Sequence, residues 1–399
     1  MLNKSQKTGL LLSAGIILLF LGILFAWSMF RVELMAHFPS FTAAQLSLNF
    51  TVASIGFCLG GFFGGKISQR WNQRVSVRIA AVLVLVGFYI CSFMDGMEPE
   101  KALLLLYVGY GALGGLGVGI GYNACVSGSS PWFPGSIGLV SGALLMCYGF
   151  GSLLVGLLVE ALSNIIGVFA VFRLAAVVLF ILMITGSFFL HKPVPATGTA
   201  DHGCTPGQML SRGSFWIYFL WNTIDASAGL LVINSSANIA LAFGTAASLG
   251  MIVSLFNGAG RPVTGAIMDR LGQFKGMLIM NSLLILGGLL LVLGAKADLA
   301  LAVFVGMILV GICYGGGVTI SAKVINDLYG PKHYGVNFSL SNFCMIPAAF
   351  IGPYISGVLQ DRSGGRYDST FLMVVVMALI ALCAVFVLKA LIARETKTK

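Results

Sequence analysis

Apolar residues run along this chain in long blocks, and polar residues gather in short clusters between them. Twelve blocks stand out, at approximately 9–30, 46–65, 77–94, 102–127, 136–158, 166–189, 214–240, 246–268, 276–294, 300–325, 336–358 and 371–393. A helix rises about 1.5 Å per residue, so a block of about 20 residues crosses a hydrocarbon core of roughly 30 Å. The pattern predicts an all-α membrane protein with twelve transmembrane helices. Only Lys4 and Lys7 precede the first block, and no small-residue cleavage motif follows it. It therefore reads as a retained helix and not a signal peptide.

Composition agrees. Of 399 residues, 58% are hydrophobic and 9% charged, where soluble domains carry about 25% charged residues. The net charge of +10 raises the question of a nucleic-acid partner, and its distribution answers it. With the N-terminus placed in the cytoplasm, fifteen of the 23 Lys and Arg fall in inner segments. Five fall in outer loops (Arg31, Lys101, Lys296, Arg362 and Arg366), and Arg173, Arg261 and Lys323 lie within spans. This is the positive-inside bias of a plasma (inner) membrane protein, and an even helix number puts both termini in the cytoplasm. The basic balance expresses topology and calls for a lipid bilayer, not nucleic acid. The eight cysteines are scattered without a CxxC pair, and the four histidines fall at helix ends or in loops. Disulfides, a metal site and a cofactor are not expected.

The longest polar interruption, His191 to Ser214, is rich in Pro, Gly and Thr and separates six blocks from six. The expected organisation is a bundle at 1–190, a cytoplasmic linker at 191–213 and a second bundle at 214–399. Internal similarity supports the cut. "GKISQRWNQR" (65–74) and "GAIMDRLGQFK" (265–275) superpose at an offset of 200, with Gln69 opposite Asp269, and "GLLVE" (156–160) answers "GVLQD" (357–361). Two parallel six-helix repeats imply a pseudo-two-fold axis along the membrane normal and a site between the halves.

Three features carry a family resemblance: the paired basic loops after helices 2 and 8, "GIGYNACVSGSSPWFPGSIGLVSG" (119–142), and "NGAGRPVTGAIMDRLG" (257–272). With "FAWSMF" (25–30), "CYGFGSLL" (147–154) and "YGGGVTISAKVINDLYG" (314–330), the chain resembles the major facilitator superfamily. Within it the likeness is to the oxalate/formate antiporter and monocarboxylate porter group, over essentially the whole length. Gln69 departs from the loop motif, where an acid is usual.

Candidate chemistry lies inside the spans. Arg261 sits nine residues before Arg270, so roughly 14 Å from the interface. An intramembrane arginine costs at least about 2.5 kcal/mol by insertion scales. Two readings stand: a charge neutralised by Asp225 as packing, or an anion receptor whose planar fork matches a carboxylate. Asn257, one turn earlier, could orient the fork. The resemblance implies the receptor, because the family's helix-8 arginine binds the substrate carboxylate. Asp225, near mid-membrane, is either a proton carrier or a fixed counter-ion for Arg261. Tyr122, Tyr148 and Tyr314 offer hydroxyls at similar depth; the first two match tyrosines that line the oxalate carriers' site, although membrane aromatics also serve as packing. Trp27 could supply an apolar wall. Lys323 and Asp327, four residues apart, form a local pair or an inner gate. Oxalate carriers of the family add a lysine on helix 11, whereas here no Lys or Arg occurs between His333 and Arg362.

The leading expectation is a monomeric secondary transporter of a small carboxylate by alternating access, a monocarboxylate moved with a proton. An oxalate/formate-type exchanger using a counter-anion, or an exporter of another small molecule, is the alternative. A channel or sensor of the same fold would not need the internal repeat. An enzyme would need a nucleophile–base pair, metal cluster or nucleotide motif, and none is read here.

Overall fold

The apolar blocks become helices in the order in which the chain presents them. The computed structural model describes residues 3–129, 132–133, 137–191, 203–330 and 332–397. Among these, α1 runs Lys4–His37, α2 Ala43–Arg70, α3 Gln73–Cys91, α4 Pro99–Ser129, α5 Ile137–Ile166 and α6 Val168–Ser187. Then come α7 Gly213–Ala242, α8 Ile252–Leu271, α9 Gln273–Lys296 and α10 Ala300–Tyr329. The chain ends with α11, in segments from Tyr334–Ser341 to Ile355–Arg362, and α12 at Asp368–Lys397.

Eleven of these are long and apolar enough to cross a membrane by length and composition. α8 is the exception. Its 20 residues include Asn257, Arg261, Pro262 and Asp269, the polar positions that make it a candidate site helix.

The chain divides into two compact units. The first is Met1–Ala196 with Asn234–Leu241 and Thr245–Ser254; the second is Thr197–Ile233 with Ala242–Gly244 and Leu255–Lys399. Within the first, α2 packs on α4, α3 on α6 and α1 on α5. Within the second, α9 packs on α10 and α12.

Helix α1 is interrupted. A 3₁₀ turn at Gly22–Leu24 separates Lys4–Leu21 from Trp27–His37. Gly22 lies against the backbone of Gly151 and Ser152 on α5, where a Cβ would collide. The break frees carbonyls that lipid cannot satisfy. The Tyr110 hydroxyl, on a π-helical stretch of α4 (Tyr107–Gly114), donates to Ile23 O at 3.0 Å and Leu24 O at 3.1 Å.

Two expectations change. Arg31, expected in an outer loop, lies inside the helix that continues to His37 and is 1% exposed. The segment expected as a plain polar linker contains order. Thr205 and Gln208 form a reciprocal cap on a short helix, Pro206–Leu210. Its backbone is tied down on both sides. Cys204 N–H donates to Tyr329 O at 2.7 Å, and Asn337 Nδ2 donates to Cys204 O at 3.0 Å. Next to it, Ser214 donates to the Glu395 carboxylate through its amide (3.0 Å) and its hydroxyl (2.7 Å). Residues 192–202, Pro134 and the Gln69 side chain lie outside what is described.

Candidate functional site

Three consecutive glycines on α10, Gly315 to Gly317, organise the second unit. Successive helical residues turn by about 100°, so the three face three directions, and each is occupied. Gly315 meets the Asn257 carbonyl of α8, Gly316 the Thr264 side chain of α8, and Gly317 the Asp225 carboxylate of α7. A Cβ at any of them would overlap its neighbour. The approach is reciprocal: Gly229 of α7 underlies the Tyr314 ring, and Gly260 of α8 abuts the Ile312 backbone.

Four predicted site residues are thereby gathered around one stretch of α10. Asn257 is 1% exposed, Asp225 4%, Tyr314 5% and Arg261 6%. Pro262 follows Arg261 and removes a backbone donor from the helix, while the Thr319 hydroxyl of α10 donates to Arg261 O at 3.3 Å. Both amide atoms of Asn257 are buried without a hydrogen-bond partner among the described residues. A buried amide in that condition is unusual. Asp225 forms no ion pair among the described residues, so the fixed pairing with Arg261 weighed from sequence is not formed.

In the first unit, Tyr122 and Tyr148 meet edge-to-face at 4.9 Å between ring centroids. Phe57 packs on both, at 5.1 and 6.0 Å, and Phe25 reaches Tyr148 at 5.5 Å. Trp27 does not join them. It is fully buried against Tyr110 at 4.8 Å, in the aromatic cluster that also holds Phe30, Phe88 and Phe172.

The α10 pair acquires a third member. Lys323 Nζ lies 3.3 Å from Asp269 and 3.8 Å from Asp327. Asp269 and Asp327 are 75% and 38% exposed at their side chains, and exposed pairs of this kind contribute about 0–1 kcal/mol. Sequence reasoning flagged Asp269 only as the counterpart of Gln69. It also passed over Asn222, which donates to Cys344 Sγ at 3.0 Å and Tyr218 OH at 3.3 Å, linking α7 to α11. Its only signal was a polar residue three positions before Asp225. Among the described residues no cluster of three His, Cys, Asp or Glu could hold a metal.

The sequence profile of the family described as Major Facilitator Superfamily matches residues 12–234 and 210–399. The oxalate:formate antiporter of Oxalobacter formigenes is 25% identical over 400 residues, covering 95% of this chain and 92% of that protein. Monocarboxylate transporter 10 of Danio rerio is 25% identical over 391 residues, covering 91% and 74%. Among solved structures, a bacterial homologue of the human lysosomal transporter Spinster superposes with a TM-score of 0.74 at 15% identity, covering 99% of both chains. The xylose transporter XylE from E. coli gives 0.73 at 17% identity, over 97% of this chain and 98% of that one. These last two show the fold.

The glycine packing has a direct test. Gly315→Ala should destabilise the protein by about 1–3 kcal/mol through overpacking. Gly61→Ala on α2, where no atom lies within 4 Å of an added Cβ, should be neutral or slightly stabilising. Thermal unfolding of the purified variants in one detergent compares them. Equal melting of the two would show that α8 and α10 are not in backbone contact.

Proposed function

The chain belongs to the major facilitator superfamily, and from that premise we propose that it is a secondary transporter of a small monocarboxylate working by alternating access. It is an integral membrane transporter; the substrate, the coupling and the orientation are the proposal. The observation that carries the reading is the buried pair on α8: Arg261, 6% exposed, one helical turn from Asn257, whose amide has no protein partner among the described residues. A guanidinium fork suits two carboxylate oxygens, and an amide beside it supplies a further donor. Tyr314 on α10 is an additional donor; Tyr122 and Tyr148, in edge-to-face contact in their own unit, are proposed as lining residues there. Lys323 with Asp269 and Asp327 is assigned to an inner gate.

Asp225 is the coupling residue in this reading. Burying a carboxylate charge without an ion-pair partner is costly, and a bound proton removes that cost. The protein then works as a monomer in the plasma (inner) membrane, with both termini in the cytoplasm on the distribution of Lys and Arg. Anion-for-anion exchange is the second reading, favoured by the likeness to the Oxalobacter antiporter.

Arg261→Lys tests the receptor. A point charge cannot reproduce the bidentate fork, so labelled lactate uptake into proteoliposomes should collapse while the variant remains folded and inserted. Uptake near the wild-type rate would remove Arg261 from the site.

Coupling is read separately. Asp225→Asn should abolish accumulation driven by a pH gradient and retain counterflow exchange. Accumulation that survives the substitution would reduce Asp225 to a packing residue. Exchange without pH dependence in the wild type would favour the antiporter.

Substrate charge is the third test. α11 carries no Lys or Arg between His333 and Arg362, and Lys323 is engaged by two carboxylates. The second charge of a dianion would face only hydroxyls and amides. Lactate should therefore outcompete oxalate by at least about tenfold, equivalent to roughly 1.4 kcal/mol. Oxalate winning, with its advantage lost in Lys323→Gln, would establish the dianion reading instead.

A further inference from the structure

One end of the first unit is charged in one sense only. A Cβ on Gly9 of α1 would touch the Phe189 ring, Arg74 of α3 donates to Leu190 O at 2.6 Å, and Arg78 donates to Ser187 Oγ at 3.1 Å. The starts of α1 and α3 therefore lie beside the end of α6. Six of the nine Lys and Arg in residues 1–190 belong to this end: Lys4, Lys7, Lys66, Arg70, Arg74 and Arg78. None of the five acids does, since Glu33, Asp95, Glu98, Glu100 and Glu160 fall toward the opposite ends of their helices or in the connection there. In the second unit, by contrast, Lys323 meets both Asp269 and Asp327.

Arg74 and Arg78 are held by α6 and the residues after it. Lys4 and Lys7 take part in no ion pair among the described residues. Together with Thr8, Leu11, Leu12 and Phe133 they line a cleft of about 530 Å³, within the roughly 300–1,000 Å³ of small-ligand sites. Lys4, Lys7 and Leu11 share one helix face by their spacing. The Thr8 hydroxyl donates to Lys4 O at 3.0 Å, and the Lys7 ammonium sits 5.7 Å from the centroid of the Phe133 ring. The donors left for a ligand are the two ammoniums, each with three N–H groups.

We propose that this cleft binds one anionic glycerophospholipid. Lys4 and Lys7 take its phosphate, and Leu11, Leu12 and Phe133 take the first part of its acyl chains. The proposal rests on the membrane assignment alone, not on the substrate or its coupling.

Position along the helix favours a lipid over a soluble anion. The headgroup layer on each side of a bilayer is about 5–8 Å thick, and Leu11 follows Lys7 by about 6 Å along α1. The polar and apolar walls are thus separated as a lipid's phosphate is from its acyl chains. Leu12 is 61% exposed, which suits a side chain facing lipid. A soluble phosphate would leave the apolar wall unused. The sign of the charge follows from the same end of the unit: the cationic group of a zwitterionic lipid finds six cations and no acid there.

Native mass spectrometry of the purified full chain, titrated in detergent with dioleoylphosphatidylglycerol, reads the affinity of the first bound lipid. Lys4→Gln with Lys7→Gln should weaken it at least about tenfold, the order expected when two cations facing an anionic lipid are removed. The control is Lys66→Gln with Lys389→Gln. Those ammoniums also sit over phenylalanine rings, Phe62 at 4.4 Å and Phe274 at 4.2 Å, but outside the cleft. Removing them should change the affinity less than about twofold, as for isolated exposed charges. An equal loss in both pairs overturns the site, because it shows a general attraction to cations. Lys4→Arg with Lys7→Arg keeps both charges and should keep binding; a loss there as large as with Gln overturns the charge argument.

Two further arms identify the occupant. Dioleoylphosphatidylcholine should bind wild type at least about tenfold more weakly than the phosphatidylglycerol, and equal binding overturns the anionic assignment. Millimolar glycerol 3-phosphate should not displace the bound lipid, whereas Leu12→Asn should weaken it several-fold. Displacement by the soluble ester, or no effect of Leu12→Asn, shows a site for a free phosphate and overturns the lipid. So does a second copy of the chain bound in its place.

Discussion

A polar side chain at mid-membrane has no water to fall back on, so neighbouring helices must come close enough to give it partners or enclose it. That constraint organises the second unit. Asp225, Asn257 and Arg261 are polar residues on two helices, and what allows those helices to approach α10 is the absence of side chains at Gly315, Gly316 and Gly317. Small residues serve this purpose widely in membrane bundles, where close backbone approach replaces the hydrophobic drive that lipid removes. Here the glycines are consecutive, so one short stretch of α10 receives α7 on one side and α8 on another. The polar residues are buried as a consequence of that geometry.

The same constraint acts on the backbone, and its two outcomes distinguish structure from function. Where α1 breaks at Gly22–Leu24, the freed carbonyls are met by Tyr110. At the start of α7, Ser214 is met by Glu395. These polar groups are satisfied because the break or helix end is permanent. Asn257 is not satisfied although it is equally buried. A site that must accept a ligand and release it cannot have its donors occupied by the protein. The contrast between completed and incomplete hydrogen bonding at similar burial is the main physical support for the proposal that a ligand binds beside Arg261.

Much of the fold was legible because apolar runs and helical rise are local properties. Every expected block coincides with most of one helix, with block ends that overrun the helix by up to six residues, and the one helix not apolar enough to count as a span, α8, carries Asn257, Arg261, Pro262 and Asp269. The resemblance named the same superfamily that the profile later matched over both halves. Other features depended on information that spacing does not hold. Arg31 stood at the end of an apolar block, and nothing local signalled that the helix would continue to His37 and bury it. Trp27 illustrates a limit of residue type, since an indole that lines a site and one that fills a core look alike in sequence. Lys323 and Asp269 are separated by 54 positions, and only the packing of α10 beside the end of α8 brings them together. The linker differed in kind. Its Thr205 and Gln208 carried the spacing of a capping box, a local signal that the Pro and Gly content obscured.

α7 joins these threads. It is the least apolar of the eleven spans and the most enclosed, and each property requires the other. Ser227 donates to Thr223 O on its own helix at 2.7 Å, but a helix that also carries Asp225, Asn234, Ser235 and Ser236 could not present those groups to lipid without cost. Enclosure removes that penalty but needs a partner for each stretch of the helix. α11 supplies one through Cys344, α10 through Gly317, and α1 and α2 through Ser28, Arg31 and Ser47. The first two lie in the second unit and the last in the first. A helix whose polar residues are divided in this way cannot change its packing at one end without exposing groups that lipid will not solvate. Any rearrangement that opens one of these stretches must therefore admit water to it.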